Sequence, residues 1–209
     1  RSESTCVISS YRDQEPFRPG SAGRVISNYE ICTQDQNNDV LPVGSTGELC
    51  VKGPHIMKGY WKNEEETRNT IIDEWLHTGD IGHLDKDGYV YITDRKKDLI
   101  IKGGENISPR GIEETIYRHP SVLECAVFGI PSEIFGEDIC AAIANRQNTI
   151  ITEDEIKEHI GKLLNRFQVP LRVVFMDQLP KSSVGKLLKR KARERVLPML
   201  QNNSANKSD

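Results

Sequence analysis

The chain has 209 residues, 36% of them hydrophobic and 28% charged, with a net charge of -3; it can bury one large core or two small ones and reads as a globular, cytoplasmic protein. No apolar stretch approaches the roughly eighteen residues of a membrane span, no basic and apolar leader opens the chain, and a start at Arg1 without Met is expected of a fragment or a processed product. Basic charge is local, because Lys181–Arg195 holds seven basic residues against one acidic and leaves the remainder acidic.

Arg1 to about Tyr60 is rich in Gly and Pro, with short runs such as Glu48-Leu49-Cys50-Val51-Lys52, and predicts β structure with loops. Asn63 before Glu64, Glu65 and Glu66 predicts a helix start, since an Asx side chain satisfies free amides and acids suit the positive helix end. Trp75-Leu76-His77 predicts a strand ending at Thr78-Gly79-Asp80. Asp87-Gly88 between His83-Leu84 and Tyr89-Val90-Tyr91-Ile92 predicts a hairpin. Beyond Asp94-Arg95 strands and helices alternate, which sets a boundary near Lys97.

Leu99-Ile100-Ile101 is a predicted short strand, and Ser108 caps a predicted helix with Pro109 at its first position. Leu123–Gly129 and Asp138–Ile143 read as strands. Thr152-Glu153-Asp154-Glu155 is a capping box that opens a helix with Ile156, Ile160, Leu163 and Leu164 on one face. Arg172–Met176 reads as a strand, Lys186–Leu197 as a basic helix, and Gln201–Asp209 as a polar, disordered end. Cys6, Cys32, Cys50, Cys125 and Cys140 show neither a CxxC pair nor zinc spacing to His, and are expected to be reduced, mostly buried thiols.

Four features invite chemistry, and each has a plain alternative when taken alone. Lys186 follows Gly185 on a loop of small residues, from which a cation can be delivered into a cleft; a Gly-Lys is otherwise a solvated surface lysine. Asp80 is suited to accept hydrogen bonds from the vicinal hydroxyls of a ribose, or is an ordinary turn aspartate. Gly103-Gly104 allows close approach of a ligand to backbone, or is only a turn. The helix after Lys186 attracts phosphates in principle, but lacks interleaved aromatic residues.

Together, three segments in the right order and spacing carry a resemblance. They are His77-Thr78-Gly79-Asp80, then Asp94-Arg95-Lys96-Lys97-Asp98-Leu99-Ile100-Ile101-Lys102-Gly103-Gly104-Glu105-Asn106, then Pro180-Lys181-Ser182-Ser183-Val184-Gly185-Lys186. They resemble the closing segments of adenylate-forming enzymes, most like the AMP-forming acyl-CoA ligases, and the likeness runs from about residue 1 to 197. It implies an α+β fold: residues 1–96 as the β-rich end of a large AMP-binding domain, 97–197 as a small mobile domain with a short sheet flanked by helices, and 198–209 as a disordered tail.

The implied activity is an acid–thiol ligase. ATP and a carboxylic acid, fatty or related, form an acyl adenylate and pyrophosphate with Mg²⁺, and the acyl group passes to CoA. An enzyme that loads a carrier-protein thiol is the alternative, and a basic nucleic-acid-binding module a remote one. In the resemblance Lys186 bridges carboxylate and ATP during adenylation, a fixed cation where charge develops on phosphoryl oxygens. Asp80 and Arg95 hold the ribose, and Lys97 is the hinge on which the small domain turns. Lys102, Gly103, Gly104 and Glu105 line the way for the thiol. Arg1-Ser2-Glu3 fits the last three positions of an aromatic-Gly-x-Thr-Glu motif, implying phosphate contact by Ser2 and Mg²⁺ binding by Glu3.

Two departures matter. The Ser/Thr/Gly-rich phosphate loop and the acyl pocket of such enzymes are absent, so the chain alone is expected to be inactive and to need an upstream remainder as partner. Gly111 stands where an acidic residue is common and weakens the helix start. A homo-oligomer is compatible with the sequence, and Lys186 has the surroundings of lysines that are silenced by acetylation in bacterial ligases.

Overall fold

The structure, a computed structural model, describes residues 2–4, 7–13 and 15–205, and for Ser2 and 202–205 the backbone alone. Arg1, Cys6 and the last residues of the predicted tail lie outside the described residues. The chain divides into two compact units, Arg1–Lys97 and Asp98–Asp209, and its secondary structure is mixed α+β, rich in strands. No helix among the described residues is long and apolar enough to cross a membrane.

The first unit is built of β1 (Ser9–Ser10), β2 (Ser21–Val25), β3 (Glu30–Gln34), β4 (Gly47–Lys52), α1 (Glu64–Thr70), β5 (Ile71–Ile72), β6 (Trp75–Leu84) and β7 (Tyr89–Arg95). The strands form one antiparallel sheet in the order β1-β2-β7-β6-β4-β3, with β5 on β6. Asn63 caps α1 by accepting from the Glu66 amide, as the Asx signal predicts. The β6–β7 hairpin forms around Asp85, whose Oδ1 accepts the amides of Asp87 and Tyr89, and Gly88 supplies the positive φ of 80°. β6 does not end at His77. It continues through Thr78-Gly79-Asp80 to Leu84, with Gly79 at φ 66° opposite a register shift between Glu48 and Cys50, so the motif is a bulge within a strand.

The second unit holds β8 (Ile100–Lys102), β9 (Glu105–Ile107), α2 (Pro109–Tyr117), β10 (Val122–Ser132), β11 (Gly136–Asn145), α3 (Glu153–Gly161), β12 (Arg172–Phe175) and α4 (Lys189–Ala205). Its sheet runs β10-β11-β8-β9, with β12 parallel to β11. Both faces of β10 and β11 are covered, which is why their sequences are nearly continuous apolar runs. Cys125, Val127, Ile139, Ala141 and Ile143 turn to the core that contains α2 and α3. Ala126, Phe128, Ile130, Cys140, Ala142 and Ala144 turn to the core that contains Ala192 and Val196 of α4.

Several expectations are corrected here. Thr152 and Glu155 form the reciprocal capping box, but Ser108 stands at the N-cap of α2 without a side-chain capping bond. Leu163 lies past the end of α3 and is half exposed, while Leu164 packs on the core. The last helix starts at Lys189, because Lys181 to Leu187 closes as a small hairpin. It then passes through Pro198 to Ala205, so residues 198–205 are helix and not a disordered tail. A proline inside a helix is costly; the contacts of Val196, Leu197 and Leu200 with the second core offset it.

Cys32, Cys50, Cys125 and Cys140 are free thiols. Burial pushes the Cys140 thiol up to about 12.

Candidate functional site

In the first unit, Asp80 and Arg95 are direct cross-strand partners of β6 and β7. The Arg95 Nε donates to Asp80 Oδ1 at 2.6 Å, with the Asp80 side chain 16% and the Arg95 side chain 49% exposed. The bulge that presents Asp80 is pinned from below. The Thr78 hydroxyl donates to the Leu49 carbonyl at 2.6 Å and accepts the Asp80 amide at 3.1 Å.

Beneath Gly79 lies Glu48, a charge of β4 that is only 5% exposed. Its Oε1 accepts the Gly79 amide at 2.8 Å; its Oε2 takes the Lys96 ammonium at 2.8 Å and His77 Nδ1 at 3.1 Å. Burial pushes the Glu48 carboxyl up, but the bonds from Lys96, His77 and Gly79 outweigh it and hold the group below the usual carboxylate range. One buried carboxylate thus ties β4, the bulge of β6 and the residue after Arg95.

Glu48, Cys50 and His77 bring their ligand atoms within 4.8 Å of one another, close enough to suggest a metal. The donor set argues otherwise. The Lys96 ammonium already answers Glu48, and His77 Nε2 is buried with no hydrogen-bond partner, whereas a metal-bound histidine donates its second N–H to one. The cluster is a hydrogen-bonded ion pair.

Ser2–Ser4 forms a short 3-10 turn. The Ser2 side chain lies outside the described residues. Glu3 is partly buried: Tyr60 donates its hydroxyl to Glu3 Oε1 at 3.2 Å, and the Met57 amide donates to the Glu3 carbonyl at 2.8 Å. Lys97 is exposed within the 3-10 turn Lys96–Asp98, at the last position of the first unit.

In the second unit, Lys186 is exposed. Ser182–Gly185 is a tight turn: the Gly185 amide donates to the Ser182 carbonyl at 3.0 Å, the Ser182 amide to the Lys186 carbonyl at 2.8 Å, and the Lys186 amide to Ser182 Oγ at 3.2 Å. The ammonium makes no ion pair among the described residues, so its backbone is fixed and its charge is presented to solvent. Its basic neighbours differ. Lys181 pairs with Glu124, Lys189 with Glu113, Arg190 with Glu194 and Arg193 with Glu137.

Gly103 and Gly104 are the two central residues of the β8–β9 hairpin, with φ of 58° and 85°, the positive pair that a tight I′ connection requires. Glu105 is exposed beside them. Lys102 is not, at 6% exposure; its ammonium lies under the turn on Asp138 Oδ1 at 2.7 Å.

The sequence places Glu48 in a predicted β run and Asp138 in a predicted strand, and it assigns no site role to either, nor to Tyr60 or Lys96. A glutamate in a predicted β run was the available signal for Glu48; nothing local marks the others.

A family model described as "AMP-binding enzyme" matches residues 2–61, and one described as "AMP-binding enzyme C-terminal domain" matches residues 111–186. The chain belongs to the AMP-binding, adenylate-forming enzyme family.

Among its relatives is the oxalate–CoA ligase of Arabidopsis thaliana, 38% identical over 190 residues, which are 90% of this chain and 37% of the relative. The 2-succinylbenzoate–CoA ligase of Bacillus cytotoxicus is 39% identical over 193 residues, 92% of this chain and 39% of the relative. Of solved structures, ATP-bound MatB from Rhodopseudomonas palustris is similar with a TM-score of 0.84 and 35% identity, covering 90% of this chain and 38% of that one. The o-succinylbenzoate CoA synthetase of Bacillus subtilis, in complex with its acyl-adenylate intermediate, has a TM-score of 0.78 and 30% identity over 91% of this chain and 39% of that one. The chain thus spans less than two-fifths of the length of these family members, and their names carry different acids.

Proposed function

We propose that this chain is the carboxyl-terminal part of an ATP-dependent acid–CoA ligase, completed by an upstream remainder that carries the phosphate loop and the acid pocket. The observation that carries this reading is the Asp80–Arg95 pair, held side by side across β6 and β7 over the Glu48 network. A carboxylate beside a guanidinium offers an acceptor and donors to a vicinal diol, which suits the ribose of ATP and AMP.

In adenylation an acid oxygen attacks the α-phosphorus and pyrophosphate departs, so negative charge gathers on the phosphoryl and carboxylate oxygens. Lys186, without an ion-pair partner among the described residues, is the cation assigned to that charge. Ser2 is assigned to phosphate. Mg²⁺ binds few protein carboxylates and takes its other ligands from phosphates and water, and the partly exposed Glu3, oriented by Tyr60, fits that demand; when bound, the ion neutralises phosphate charge. In the second step the CoA sulfur attacks the acyl carbonyl and AMP leaves. Gly103, Gly104 and Glu105 are assigned to the approach of the thiol, and the exposed Lys97, at the edge of the first unit, to the hinge that exchanges the two steps.

Pairing of four basic residues around Lys186 with carboxylates supports a small-molecule role over nucleic-acid binding. The test is AMP release by the intact parent protein with ATP, Mg²⁺ and a panel of carboxylic acids, with and without CoA. Acid-dependent AMP together with acyl-CoA is the expected result. Acid-dependent pyrophosphate exchange without CoA turnover would point to a carrier-protein thiol, and no acid-dependent AMP at all would overturn the ligase reading.

A further inference from the structure

Lys102 lies in the stretch assigned above to the thiol, yet its charge cannot meet a ligand. The side chain is 8% exposed and that of Asp138 7%, with Nζ 2.7 Å from Asp138 Oδ1. Nζ also donates to the Phe167 carbonyl at 3.2 Å and lies 5.5 Å and 4.8 Å from the ring centroids of Phe135 and Phe167. The same Asp138 Oδ1 also accepts the Ile139 amide at 2.7 Å.

The two rings that flank the ammonium also bear on the Gly103–Gly104 turn. The Gly103 amide donates to the Phe135 carbonyl at 2.9 Å. A Cβ at Gly103 would stand 3.3 Å from Phe135 and 3.5 Å from Phe167, so the two rings, in edge contact at 5.8 Å, form a seat against which the turn rests. The backbone ladder between β8 and β11 pairs Lys102 with Gly136, and Glu137 adds a side-chain bond to the Ile101 amide at 3.0 Å. The hairpin is thus attached to the sheet at its tip, and the ion pair is the clasp at that point.

We infer that Lys102 and Asp138 are positioning residues that set the height and tilt of the Gly103–Gly104 turn for the thiol step, and that Lys102 is not a CoA ligand. This rests on the reading that the turn faces the thiol. A buried ion pair is a poor source of net stability, because desolvation offsets its attraction. It is directional, however, and an apolar pair of similar volume could fill the same space without fixing the turn.

The experiment uses the intact enzyme with Lys102→Met, Asp138→Leu and the double variant. Removing one partner strands a charge, so the single variants serve as stability controls; the double variant keeps the volume and loses the clasp. The expected result is a double variant with a wild-type melting temperature and a Gly103 amide that exchanges hydrogen about tenfold faster. Its KM for CoA rises about tenfold while acid-dependent pyrophosphate exchange stays within about twofold, as a small misplacement confined to one step would give.

Wild-type Gly103 exchange in a folded double variant, an unchanged KM for CoA, or an equal fall in both half-reactions would each overturn the inference. A wild-type enzyme that makes acyl adenylate but does not use CoA removes the ligase reading instead, and the exchange rate at Gly103 then decides the role of the clasp.

Discussion

Glu48 in the first unit and Lys102 in the second are both buried charges beneath a glycine at positive φ, Gly79 in one and Gly103 in the other. They are answered in different ways. Glu48 is spread over three donors, and its cation, Lys96, is 54% exposed, so water and salt reach one end of the network. Lys102 and Asp138 are both dry, with aromatic rings on two sides. Charge held on a wet edge can be weakened by degrees, whereas charge sealed in a core fails when either half is removed. Each turn inherits the character of what lies beneath it, one supporting the proposed nucleotide pair and one the proposed thiol approach.

The sharpest way to break the comparison is Asp138→Leu, which leaves the Lys102 ammonium buried without its partner and is expected to cost about 3–5 kcal/mol. Adding Lys102→Met should recover that loss, and chemical denaturation of the intact enzyme checks both. Lys186→Ala is the contrast at an exposed charge. Adenylation should slow by about 10²–10³ or more, as loss of a charge partner in the transition state does, with stability unchanged and thioester formation from a supplied acyl adenylate retained. Equal loss in both half-reactions would remove Lys186 from the adenylation step alone.

Glu48→Gln should be milder, at about 1–3 kcal/mol, since an amide still accepts from Gly79 but turns donors toward Lys96 and His77; the accompanying change is a weaker affinity for AMP, read by calorimetry. The same residue sets a pH response. Its carboxyl titrates lower in the folded state than its ordinary value of 4.5, so its contribution is fully present above about pH 4.5 and is lost as pH falls through the folded value. Melting curves between about pH 3 and 6 should therefore converge for wild type and Glu48→Gln on the acid side. The smallest effect is expected of Gly104→Ala. No atom lies within 4 Å of its would-be Cβ, leaving only the backbone cost of about 1 kcal/mol at positive φ.

The sequence by itself determined what depends on near neighbours. Asn63 caps its helix and Thr152 with Glu155 closes its box because donor and acceptor are within one turn of chain. Asp85–Gly88 folds its hairpin for the same reason, whereas Asp80 and Arg95 stood out by family resemblance alone, and their pairing across β6 and β7 came from the fold. What the tertiary structure decided are contacts between distant segments. Glu48 reaches Gly79 and Lys96 across the sheet, Lys102 meets Asp138 on another strand, and α4 passes Pro198 because a core waits for Leu200. Propensity and spacing act within a few residues, whereas burial decides whether a lysine is a ligand or a clasp, and burial is a property of the packed chain.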